Sequence, residues 1–159
     1  MKKIFGLLLL TVLSFGATSA QNLTDFHKKD YNLDKSGLAI EGYDPVAYFI
    51  SNKAMEGNKD ITLTLDGITY RFANAQDKEL FKANPAKYQP QYGGWCAYAM
   101  GATGEKVDID PGTFKLVDGK LYLFYNKFFN NTKKSWDKDE TNLKRKADAN
   151  WTKIVQQNA

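Results

Sequence analysis

The chain has one cysteine and one histidine in 159 residues. One cysteine excludes an internal disulfide, so no covalent staple holds this fold. One histidine and one cysteine cannot supply the four ligands of a closed structural zinc site. Prolines number only four, no long single-sign charge run occurs, and no apolar run reaches the roughly 20 residues of a membrane span. The formal charge is +4. Its only dense basic patch is Lys144-Arg145-Lys146, with acids nearby, which reads as a solvated helix face. A concentrated basic stripe, the footprint of nucleic-acid binding, is therefore missing.

The start of the chain is distinctive. Lys2 and Lys3 precede an apolar run from Ile4 to Phe15, which is followed by Gly16, Ala17, Thr18, Ser19 and Ala20. A charged start, a short apolar centre and a small-residue exit make the pattern of a secretory signal peptide. Residues 1–20 are expected to be removed after Ala20, with no membrane span afterwards. The remaining 139 of 159 residues would suit one domain, and loss of two lysines lowers the charge from +4 to +2. The expected location is periplasmic or secreted. In an oxidising compartment a leftover thiol is unusual, which draws attention to Cys96.

Residues 21–36 read as a polar N-terminal arm. Asp44-Pro45 suits a helix start, with Asp capping free amides and Pro at the first turn. The helix continues through Val46, Ala47, Tyr48 and Phe49, and residues 51–60 read as a polar loop. Ile61–Leu65 and Ile68–Phe72 alternate around Asp66-Gly67, a strong hairpin signal. A second hairpin is expected from Phe114–Val117 and Lys120–Tyr125 around Asp118-Gly119. Asn74 would cap a helix over 75–83, Asn84-Pro85 would start a helical turn to Tyr88, and Asn126 would cap a helix over 127–136. Residues 139–155 read as a helix with Leu143, Ala147, Trp151, Ile154 and Val155 near one face. Residues 89–101, which hold Cys96, and 101–112 read as irregular loops. Tight hairpins among helices predict an α+β fold: a small antiparallel sheet of two hairpins, several short helices and a C-terminal helix.

Five ordered motifs carry a resemblance: GYDPVAYF at 42–49, YRFAN at 70–74, NPAKY at 84–88, YGGWCAYAMG at 92–101 and LYLFYN at 121–126. Trp151 in ADANW completes the pattern. Together they resemble the exported branch of the YHS-domain family over residues 37–155. The resemblance implies a metal-handling association, because short YHS modules occur beside heavy-metal transport and sensing domains. The cysteines of those modules correspond here to Ala47 and Ala73. Asn74 replaces the serine, and Arg71 stands near the name-giving histidine.

Three readings of function follow. The leading one is non-catalytic binding of a metal ion or small ligand near Cys96 and the Tyr43–Asp44 turn. Aromatic rings with polar tips commonly line small-molecule pockets, which makes Tyr43, Asp44, Tyr48, Tyr92, Trp95, Cys96 and Tyr98 the candidate ligand residues. Copper(I) accepts thiolate and thioether donors. Cys96 and Met100 would share a face if that segment turned helical, with His27 and Met55 as further donors. The second reading is a thiol-dependent redox accessory or enzyme using Cys96, although a cysteine nucleophile normally needs a nearby base and only His27 exists. The third is a structural or partner-binding domain whose motifs are packing. Gly93-Gly94 signals close approach of backbone to a neighbour, either the DPVAY helix or a ligand.

Overall fold

The computed structural model describes residues 28–157. The proposed signal peptide and residues 21–27 of the arm, His27 among them, lie outside these residues. Elements run in the order α1 (Ala47–Ser51), β1 (Asn58–Leu65), β2 (Ile68–Phe72), α2 (Ala75–Ala83), α3 (Pro85–Tyr88) and α4 (Ala97–Ala102). They continue with β3 (Asp110–Val117), β4 (Lys120–Phe124), β5 (Asn126–Lys127), β6 (Asn130–Asn131), α5 (Thr132–Trp136) and α6 (Glu140–Gln157). The fold is α+β. Its strands form three separate antiparallel pairs, β1–β2, β3–β4 and β5–β6, rather than one joined sheet.

Both Asp-Gly hairpins form where the alternation places them. Their registers close on Leu65↔Ile68 and Val117↔Lys120, which leaves a two-residue turn in each. Asn74 accepts the Asp77 N–H at 2.9 Å and so caps α2. Asp44 Oδ1 accepts from Val46 N (2.8 Å) and Ala47 N (3.3 Å), which starts α1.

Strand β4 explains why the core is double. Leu121 and Leu123 belong to one apolar cluster, with Tyr48, Tyr70, Phe72, Phe81 and Tyr88. Tyr122 and Phe124 belong to another, with Met100, Trp136, Leu143 and Ala147. Successive strand residues point to opposite faces, so one buried strand feeds two cores. Helix α6 covers the second core through Leu143 and Ala147, with Trp151 and Ile154 packed at its margin. Lys115 anchors this side by bridging Asp137 and Glu140.

Three local expectations change. Asn126 does not cap a helix over 127–136. Its amide donates to Thr113 Oγ1 at 2.9 Å, which holds the chain extended into β5. The cap of α5 is Asn131, accepting from Lys133 N at 3.1 Å. The segment 89–101 is not wholly irregular, since α4 occupies Ala97–Ala102. The loop at 51–60 ends early, because β1 begins at Asn58 through an irregularity in register before Thr62.

Helices α4 and α6 touch at backbone distance. A Cβ built on Gly101 would lie 2.5 Å from the Leu143 carbonyl oxygen. Gly119 has φ +70° but open space around it. Gly101→Ala should therefore cost about 2–4 kcal/mol, since backbone must move. Gly119→Ala should cost only the left-handed strain of about 1–2 kcal/mol. Denaturant midpoints of the two variants check this; equal losses would contradict it.

Candidate functional site

Cys96 sits just before α4 with ψ 115°, outside helical geometry. Its side chain is fully buried. Tyr125 N donates to Cys96 Sγ at 3.3 Å, and Sγ lies 3.4 Å from Thr132 Oγ1. Thr132 Oγ1 in turn donates to the Tyr125 carbonyl at 2.9 Å. A hydroxyl has one proton, so the thiol must be the donor in the contact with Thr132. The sulfur thus accepts from Tyr125 and donates towards Thr132, in a closed ring of three hydrogen bonds. This ring fixes the chain leaving β4 against the start of α5.

Above this ring lies a cleft of about 410 Å³. Cys96, Tyr98, Val107, Tyr125 and Thr132 line it, with Thr103, Glu105 and Asn130 among its polar neighbours. Its size is within the range of small-molecule pockets, about 300–1,000 Å³. Glu105 lies at the exposed rim and accepts from Thr103 Oγ1 at 3.1 Å. An apolar floor with one carboxylate at the rim suits a ligand with an apolar body and a donor or cationic end.

Of the seven candidate ligand residues, the structure brings Cys96 and Tyr98 together on this cleft. The others are placed elsewhere. Tyr48 is fully buried and donates to Pro111 O at 2.8 Å. Tyr92 is buried and donates to Asp148 Oδ1 at 2.9 Å. Burial pushes both hydroxyls well above the ordinary tyrosine range. Trp95 donates to Asp30 O at 2.7 Å. Tyr43 pairs through an isolated bridge with Glu56, away from the cleft. Val107 and Thr132 are cleft residues outside every sequence motif, and Tyr125, inside LYLFYN, was not among the candidate ligand residues; only tertiary folding brings the three to Cys96.

The neighbour of Gly93 is neither the DPVAY helix nor a ligand. A Cβ there would lie 2.8 Å from Asp30 O and 2.8 Å from the Trp151 ring. The arm and the C-terminal helix therefore meet on this glycine. Asn32 N donates to Gly93 O at 2.8 Å, so residues 30–32 belong to the packed body.

Among the described residues the soft-metal donors do not come together. Met100 packs in the second core and Cys96 in the first. Residues four apart share a face only when both have helical dihedrals, and Cys96 does not. Met55 is partly exposed outside the cleft lining. No group of three His, Cys, Asp or Glu side chains suited to a metal occurs among the described residues. These residues do not fit a copper centre.

Asp44 is a structural carboxylate. Besides the two amides of α1, its other oxygen accepts from Ala73 N at 2.7 Å, tying α1 to the end of β2. Burial raises its pKa to about 6; these backbone bonds oppose the rise, and a hydrogen bond and charge from Asp77 add to it. No family model, no curated protein and no solved structure matches the chain.

Two outcomes follow. Native protein should leave Cys96 unlabelled by maleimide under conditions that label the unfolded chain fully. Cys96→Ala, which strands the Tyr125 N–H, should cost about 1–3 kcal/mol; fast native labelling would refute the closed ring. For Asp44, the folded pKa of about 6 lies above the ordinary 3.8. Folding then favours the protonated form, and this contribution is complete below 3.8 and lost as pH rises through about 6. Stability should rise from pH 7 to pH 5, and Asp77→Asn should make that slope shallower. An unchanged slope in urea titrations would assign it to other groups.

Proposed function

We propose that this chain is an exported, non-catalytic binding domain of YHS type, whose ligand occupies the cleft over Cys96. The observation that carries the reading is the cleft itself. Two tyrosines and a valine surround a floor whose only thiol has both its proton and a lone pair engaged. Such a floor offers shape and apolar surface rather than a nucleophile. The cleft residues Cys96 and Tyr98 fall in the YGGWCAYAMG motif, and Tyr125 falls in LYLFYN, so two of the family-like motifs converge on it. The proposed ligand is a small organic molecule with an apolar body, its hydrogen-bond donor or cationic end directed to Glu105. The metal association of the short YHS modules is not part of this proposal, because the soft donors among the described residues do not come together.

Ala102 lines the cleft and is exposed, so a large side chain there fills the cleft without entering either core. Native mass spectrometry of protein taken from its own compartment should show a retained organic mass that Ala102→Trp loses. A chain mass without adduct, or an adduct kept equally by the filled variant, would remove the cleft as the binding site. Glu105→Gln should weaken retention roughly tenfold, as expected for one charge-assisted hydrogen bond.

A further inference from the structure

Among the described residues, three two-residue hairpin turns have positive φ at both positions. Asp66-Gly67 has φ of 50° and 75°, and Asp118-Gly119 has 51° and 70°. The third, between β5 and β6, is Phe128-Phe129 with 52° and 62°. This turn geometry ordinarily selects Asn-Gly or Asp-Gly, and bulky residues in it are strained. The chain itself supplies the suitable residues twice, and at the third turn places two aromatic rings instead. Burial does not offset the strain. Phe128 is 89% exposed and Phe129 is fully exposed, whereas Phe49, Phe72, Phe81, Phe114 and Phe124 are all buried or half-buried. Strain held at an exposed apolar site points to a use outside the fold.

The surroundings indicate the partner. Residues 126–134 contain three lysines and no acid. Lys133 leans back onto Asp137 at 2.8 Å. Lys127 and Lys134 are exposed, and neither has an ion-pair partner among the described residues. Aromatic rings at an apex with ammonium groups behind them have the composition of a segment lying in a membrane interface. The rings enter the boundary of the acyl chains, and the lysines meet anionic headgroups. A stable protein interface buries about 1,200 Å² or more, and a two-residue tip offers far less. We propose that the Phe128-Phe129 hairpin is a membrane-docking tip that seats reversibly in the surface of an anionic lipid bilayer. The positive-φ turn already presents both rings to solvent, so docking need not reorganise the tip.

The full chain is tested by co-flotation with vesicles of phosphatidylcholine, with and without one-third phosphatidylglycerol. The parent should bind the anionic vesicles and lose that binding in high salt. F128N/F129G installs the residues that this turn prefers. It should melt at a higher temperature than the parent and partition roughly tenfold less or weaker still, because two rings no longer leave water. K127Q/K134Q should weaken binding to anionic vesicles and reduce its salt dependence. F129W should add emission that brominated lipid quenches. The apolar run near the N-terminus is common to all variants, so differences between them read the tip alone. The proposal fails if the parent does not bind anionic vesicles, if F128N/F129G binds equally, or if the F129W emission escapes quenching on bound protein. A lower melting temperature for F128N/F129G would make the rings structural and also overturn it. So would tip-dependent self-association without vesicle binding, which would assign the rings to a protein partner.

Discussion

From Leu121 to Phe124, strand β4 has no face turned to water. Leu121 and Leu123 must find apolar neighbours on one side, and Tyr122 and Phe124 on the other. The rest of the domain is arranged to meet both demands. On the leucine side, Tyr70, Phe72, Phe81 and Tyr88 pack ring against ring, with Phe81 4.6 Å from Tyr70 and 5.3 Å from Phe72. On the other side Trp136 stands 5.7 Å from Tyr122 and 5.6 Å from Phe124. Neither side alone would hold so small a domain, because each ring contributes by being enclosed. The shared strand couples them, and a change at one face is felt at the other.

Cys96 gains its position from the same strand. The chain leaving β4 offers the N–H of Tyr125 to sulfur, and the Tyr125 carbonyl takes the proton of Thr132. A lone thiol invites a chemical reading. Here its hydrogen-bonding capacity is used to join the end of β4 to the start of α5. The hollow above it takes its apolar character from tyrosine, valine and alanine. Asp44 follows the same logic, since a carboxylate that accepts three backbone amides has little left to offer a ligand.

The hairpins at Asp66-Gly67 and Asp118-Gly119 were legible because alternation and turn chemistry agree locally. The Asn74 cap and the apolar face of α6 were legible for the same reason. The stretch after β4 was not. Asn126, Asn130 and Asn131 are all able to cap, and the choice is made by Thr113 and Asp110, residues distant in sequence. Spacing suggested that Cys96 and Met100 share a face, but that rule needs helical dihedrals at both ends. Gly93-Gly94 announced a close approach without naming its partner, because the partners lie at the two ends of the domain. The cleft itself is assembled from two stretches of chain, 96–107 and 125–132, which only the tertiary fold brings together.

That meeting on Gly93 bears on the order in which the chain can fold. Asn32 and Asp30 bond to Gly94 and Trp95 across separations of 62 and 65 residues. Trp151 closes on the same glycine from the other end of the domain. Both hairpins can form from neighbouring residues as soon as they are made, but this junction is complete only when the last helix brings Trp151 onto Gly93. A chain emerging end-first would keep the Gly-Gly-Trp surface open until its final turns arrive.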